Sequence, residues 1–161
     1  MDEVYPNLWL GQYQAASDGQ TKILKQHKIT HIVSIGLYEQ WWTTRKDPKH
    51  LLLEMKDSPF VFVTDYFSQV FPFMEEALAH GNGVLVHCEE GKSRSSAIVV
   101  AFLMKKLQKQ YPETLNRILI HRKKVMPNIG FQIQVVFFLK KKKKKKIAKK
   151  FKQNNETQNF T

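Results

Sequence analysis

Apolar and polar positions along the chain alternate between two periods. Leu8-Trp9-Leu10, ended by Gly11, and Thr30-His31-Ile32-Val33-Ser34-Ile35, stopped at Gly36, read as strands, and Leu51-Leu52-Leu53-Glu54-Met55 reads as another. Val84-Leu85-Val86 is a buried strand, because three consecutive apolar residues hide both faces of a sheet. Between these runs the period lengthens. Gln20 to His27 has helical spacing at Ile23 and Leu24, and Tyr66 to Ala79 places Val70, Phe73, Met74, Ala77 and Leu78 on one side, with Gly81-Asn82-Gly83 as a break. Ser95 to Leu107 is too long for a strand and carries no breaker, which predicts a core helix. Pro112 suits the first turn of another helix, with Leu115, Ile118 and Leu119 inward. A last helix starts near Pro127-Asn128, with apolar positions Ile129, Phe131, Ile133, Val136, Phe137 and Leu139. Strands alternating with helices predict an α/β fold: a central sheet of four or five strands flanked by helices.

Charge divides the chain where hydropathy does not. The net charge is +12, but Met1–Leu139 holds 16 Lys and Arg against 13 Asp and Glu, whereas Lys140–Lys152 holds 10 lysines and no acid. The expected organisation is therefore a domain over 1–139 and a lysine-rich extension over 140–161, partly helical or disordered. The extension lacks an apolar face, so it is not an amphipathic membrane helix. It suits an anionic partner: a lipid surface, a nucleic acid or an import receptor. The longest apolar run, Ala97 to Met104, has eight residues, so no integral membrane span is expected. Met1-Asp2-Glu3 opens the chain without a secretory pattern, and Cys88 is its only cysteine, so no intramolecular disulfide and no cysteine-based zinc site is available. The expected location is intracellular, cytoplasmic or nuclear or both.

Candidate chemistry concentrates in Val84-Leu85-Val86-His87-Cys88-Glu89-Glu90-Gly91-Lys92-Ser93-Arg94-Ser95, a strand, a tight loop and a helix start. Backbone amides in a loop that curls into a helix N-terminus form an anion site, and the field of such a loop favours a thiolate. The planar fork of Arg94 matches two phosphate oxygens, Gly91 permits backbone geometry that a side chain obstructs, and the Ser95 hydroxyl is placed to donate to the sulfur. Nucleophile, anion cradle and bidentate cation within eight residues suit attack on a phosphate monoester. A lone cysteine is ordinarily a small buried hydrophobe, and it is the spacing to Arg94-Ser95 that argues otherwise here.

His-Cys-x5-Arg-Ser resembles the signature of cysteine-based phosphatases, and Gly-x-Ser-Arg-Ser within it looks like the dual-specificity protein phosphatases. Leu8-Trp9-Leu10-Gly11 with Ala15-Ala16, Ile29-Thr30-His31-Ile32-Val33, and Pro127-Asn128-x-Gly130-Phe131 resemble three further elements of that family in the same order. The resemblance implies hydrolysis of phosphotyrosine and phosphoserine/threonine in proteins, without metal or cofactor. It implies Cys88 as the nucleophile of a phosphocysteine intermediate, and Arg94 with the amides of Glu89, Glu90, Gly91, Lys92, Ser93 and Arg94 as the phosphate grip. Ser95 then eases departure of the thiolate. The family's general acid lies some thirty residues before the cysteine with a Tyr-Phe pair further on, which points to Asp57, followed by Tyr66-Phe67. His87 and Asn128 are supporting residues. Asp65 is the competing acid, better read as a helix cap. Asp57-Ser58-Pro59 is also turn chemistry, and Asn128 also suits a helix N-cap. His27, His31, His50, His80 and His121 show no metal-like grouping and are expected at the surface or strand ends.

Three departures from the family pattern stand out. Glu89 and Glu90 place acids beside an anion site, which weakens phosphate binding unless they point to solvent. Where family members often have Asn after the second strand, this chain reads Ser34-Ile35-Gly36, and Trp41-Trp42 has no family counterpart and is expected to pack with partial exposure. Phosphoinositides or RNA 5′-triphosphates are alternative substrates of the same chemistry, although one Lys92 against two glutamates favours protein. A phosphate-binding adaptor without turnover is the alternative of another class.

Overall fold

The computed structural model describes residues 1–37 and 47–138. Trp41-Trp42, Leu139 and the lysine-rich extension lie outside the described residues. Five strands form one sheet: β1 (Asp2–Tyr5), β2 (Leu8–Gln12), β3 (Ile29–Gly36), β4 (Lys49–Glu54) and β5 (Gly83–Cys88), in the order β1-β2-β5-β3-β4. β1 is antiparallel to β2, and every other pairing is parallel. The helices are α1 (Thr21–Gln26), α2 (Phe67–Ala79), α3 (Arg94–Leu107), α4 (Tyr111–His121) and α5, described over 129–138.

The run of apolar residues in β5 works as its composition requires. Val84 and Val86 point into the main core with α2, α3 and α4, while Leu85 points to the other face, where Leu24 of α1, Ile29 and Ile32 cover it. β3 divides in the same way, with Val33 and Ile35 in the main core. α3 is buried from Arg94 through Met104, which is why its sequence carries no polar stripe until Lys105. The central parallel strands β2, β5 and β3 run side by side, and the loop after β5 leaves their C-terminal edge, where α/β sheets place ligand sites.

Several local expectations change. The pattern analysis has no counterpart for β1, since Val4 is its single buried residue and four residues give no period to read. His31 is buried on β3, with its ring edge-on to Phe73, rather than at the surface. Asp65 lies exposed in a 3-10 turn (Val63–Tyr66), and α2 starts from Tyr66 without any side-chain cap, so Asp65 does not cap it. On α5, Phe131 and Val135 enter the core, while Ile129, Ile133 and Phe137 are half-exposed or more.

Phe102 sits at the centre of the main core, fully buried and edge-on to Phe71. Phe102→Ala is expected to lower unfolding free energy by about 3–5 kcal/mol, whereas Ile120→Ala, at an exposed position of α4, is expected to change it by less than about 0.5 kcal/mol. Urea denaturation of both variants checks the pair.

Candidate active site

The loop from Cys88 to Arg94 is held by its carbonyls. The Glu89 carbonyl accepts from the Tyr13 N–H at 3.1 Å, and the Lys92 carbonyl from the Met126 N–H at 2.8 Å. The Glu90 and Gly91 carbonyls accept from Arg122, through a terminal nitrogen at 3.2 Å and Nε at 3.0 Å. The Ser93 carbonyl takes the first bond of α3, from Ala97. Five consecutive carbonyls are thus bonded to partners around the loop. In a trans peptide the N–H lies opposite the carbonyl, so the N–H groups of residues 90–94 turn away from those partners, toward the concave side. The shape of the loop thus comes from the outside.

Gly91 is obligatory for this geometry. Its φ is +65°, and a Cβ there would lie 2.3 Å from the Gly11 carbonyl oxygen and 2.6 Å from a terminal nitrogen of Arg122. Arg122 is itself buried and pairs with Asp2 of β1. Sequence reasoning did not single out Arg122. An arginine in a polar stretch, Arg122-Lys123-Lys124, gives no local sign that it braces a loop 31 residues earlier.

Cys88 is buried at the end of β5, and the Ser95 hydroxyl donates to its sulfur at 3.1 Å. Arg94 opens α3 with its side chain 9% exposed; one terminal nitrogen donates to the Met55 carbonyl at 3.4 Å. Ser93 occupies the α3 N-cap position but makes no cap bond. Its hydroxyl donates instead to Asp57 Oδ1 at 2.7 Å and accepts from the Asn128 N–H at 3.0 Å. The first amides of α3 therefore receive no cap from this side chain.

Asp57 reaches this cluster from the loop after β4. Asn128 donates through Nδ2 to Asp57 Oδ1 at 2.8 Å and accepts from the Phe131 N–H through Oδ1 at 3.0 Å, so it caps α5 and holds the acid with one amide. Asp57 Oδ2 lies 3.8 Å from Arg94 Nε. The turn reading of Asp57-Ser58-Pro59 also holds locally, because Val61 N–H bonds to the Ser58 carbonyl. The rest of the loop lies along α5. Gln134 accepts from the Val63 N–H at 2.9 Å and donates to the Val61 carbonyl at 2.8 Å, and Gly130 packs so tightly on Pro59 that a Cβ would come within 2.1 Å of its carbonyl oxygen. Tyr66 closes the loop by donating to the Glu54 carbonyl at 2.6 Å.

His87 is fully buried and its Nε2 shares a 2.6 Å hydrogen bond with Ser34 Oγ of β3. That bond gives Ser34 a role, since it joins β5 to its neighbour just below the loop. Burial pushes the His87 pKa down to about 4, against a smaller opposing effect of a backbone hydrogen bond with Cys88. The ring is neutral at neutral pH and lends no formal charge to the sulfur. Glu89 and Glu90 are both exposed, but Glu89 does not simply face solvent: its Oε2 lies 3.2 Å from a terminal nitrogen of Arg94. Asp57, Cys88, Arg94 and Asn128 line a single cavity of about 510 Å³, with Lys92 and Ile129 at its wall. Among the described residues no three His, Cys, Asp or Glu side chains gather as a metal ion requires, and no helix is long and apolar enough to cross a membrane.

A buried cysteine at the end of a parallel strand, followed by a loop that turns into a buried helix and sharing its cavity with an aspartate, is the arrangement expected of a cysteine-based phosphatase. Comparison with known proteins narrows the class. The family model described as the dual specificity phosphatase catalytic domain matches residues 8–141. Human dual specificity protein phosphatase 22 is 31% identical over 138 residues, covering 86% of this chain and 73% of that protein. The structure of the human tyrosine phosphatase-like serine/threonine/tyrosine-interacting protein superposes with a TM-score of 0.82 at 30% identity, over 86% of this chain and 94% of that one. The structure of DUSP15 gives 0.78 at 32% identity, over 84% and 85%. The chain belongs to the dual specificity phosphatase family, and it is a protein phosphatase, a hydrolase.

Two expected outcomes follow from this geometry. Gly130→Ala forces Pro59 and hence the Asp57 loop away from α5. It is expected to lower turnover of a phosphopeptide more than tenfold, as misplacement of a reacting group by about 1 Å does, while the urea midpoint moves little; steady-state kinetics and denaturation check both. The second concerns His87. The unfolded chain takes up a proton near pH 6.5, the folded one only near 4, so stability falls as pH drops through that window. His87→Gln keeps a polar partner for Ser34 and is expected to flatten this slope, measured as urea midpoints between pH 7 and 4.5.

Proposed function

We propose that Cys88 attacks the phosphorus of a phosphorylated protein side chain, forming a thiophosphate while the serine, threonine or tyrosine oxygen leaves. Arg94 and the inward amides of 90–94 take the equatorial oxygens, whose charge they stabilise as it redistributes. Asp57 supplies the proton to the leaving oxygen, and its carboxylate then takes a proton from the water that attacks the thiophosphate. Ser95 donates to the sulfur as the S–P bond breaks and the thiolate departs. The observation that carries this reading is the convergence on one cavity of Asp57, from the loop after β4, with Arg94 and the Ser95-bound Cys88, from the loop after β5. The same convergence supports turnover over a role as a phosphate-binding adaptor.

The catalytic unit in this reading spans 1–139, and 140–161 is a basic extension. Its lysines support attraction to an anionic partner, each adding a modest, salt-sensitive increment. A single cysteine that works as a thiolate supports an intracellular, reducing location.

The experiment is phosphate release from a phosphotyrosine peptide, a phosphoserine peptide and an aryl phosphate with a strongly acidic leaving group. Cys88→Ser is expected to abolish turnover and retain phosphopeptide binding. Asp57→Asn is expected to slow the peptides by about 10²–10⁴ and the activated aryl phosphate far less, because a good leaving group departs without a proton. Asp65→Asn is expected to leave this ratio unchanged. Equal losses on both kinds of substrate for Asp57→Asn would assign the acid elsewhere.

A further inference from the structure

Arg94 is nine-tenths buried, and its donors are unequally engaged. One terminal nitrogen goes to the Met55 carbonyl, the other to Glu89 Oε2 at 3.2 Å, and Nε has no hydrogen-bond acceptor among the described residues. A guanidinium grips two oxygens of a phosphate through two adjacent nitrogens. With the Met55 side taken, the remaining edge is Nε with the nitrogen that Glu89 holds. Nε faces Asp57 Oδ2 at 3.8 Å with no acceptor within hydrogen-bond range, and its neighbour is held by Glu89.

We infer that Glu89 competes with phosphate for Arg94 and, once displaced, selects substrates with a lysine or arginine beside the phosphorylated residue. This rests on the reading of Arg94 as the phosphate grip. The Glu89 side chain is 55% exposed, so it can swing from Arg94 to the rim without disturbing the core. Its backbone stays in place, since its carbonyl is bonded to Tyr13. At the rim it joins Glu90, also exposed and also lining the cavity, with Lys92 as the one lysine of the wall. An arriving phosphate thus brings negative charge toward two carboxylates and removes the cation that one of them held. A basic residue on the substrate restores that partner; an acidic residue or a second phosphate adds repulsion.

The test separates binding from turnover. In Cys88→Ser protein, the affinities of inorganic phosphate and of two matched phosphopeptides, with Arg or Glu next to the phosphorylated residue, are measured with and without Glu89→Gln. Removing the competing carboxylate is expected to tighten inorganic phosphate by about two- to fivefold, the range of a partly exposed ion pair. It is also expected to shrink the preference for the Arg peptide by a similar factor, and Glu89→Lys is expected to invert that preference. The effects are expected to diminish as salt is raised. Weaker phosphate binding in Glu89→Gln would overturn the competition, showing that Glu89 supports the grip. An unchanged peptide preference in Glu89→Lys would overturn the selectivity. Absence of turnover in the native chain would instead count against the reading of Cys88, and the binding measurements stand apart from it.

Discussion

Everything at the catalytic end of this protein depends on where five carbonyls point. Residues 89–93 each give their C=O to a partner around the loop, and the planarity of the peptide bond then turns the next N–H to the concave side. The partners come from the turn after β2, from Arg122 beyond α4, from Met126 ahead of α5, and from α3 itself. The inward row of N–H groups is therefore a by-product of the fold's hydrogen-bond accounting. No side chain of residues 89–93 is needed to shape it, apart from the requirement that residue 91 have none. The gap between Gly11 and Gly91 lets β2 and the loop approach backbone to backbone.

The acid is positioned by a different principle. Asp57 sits on a loop with little core of its own: Phe60 and Phe62 are exposed. α5 holds that loop at three heights, through Asn128, Gly130 and Gln134. Ser93 joins the two systems, because its hydroxyl bonds to Asp57 while its backbone begins α3. The loop and Asp57 are thus joined through Ser93, with Arg94 Nε 3.8 Å from the same carboxylate.

How much of this is legible along the chain follows from the range of each interaction. β5, the loop and α3 are read correctly because their signals are local: a three-residue apolar run, a breaker, a long apolar helix. Cys88, Arg94 and Ser95 come with them, since eight contiguous residues bring them together. Asp57 is reached only through resemblance, as nothing near it announces a partner at Ser93 or Asn128. Arg122, Gln134 and the bond between Ser34 and His87 are invisible for the same reason, each joining segments that the sequence separates by 31 residues or more. Asp65 misleads in the opposite sense. An acid just ahead of a helical period suggests a cap, yet a 3-10 turn intervenes and leaves the side chain in solvent.

Asn128 ends one helix turn and orients one carboxylate with the two atoms of a single amide. Helix ends fray first, at free energies well below global unfolding. When the first turn of α5 opens, the Oδ1 bond to Phe131 is lost and the amide that steadies Asp57 loses its anchor. The orientation of the Asp57 carboxylate therefore inherits the local melting of one helical turn.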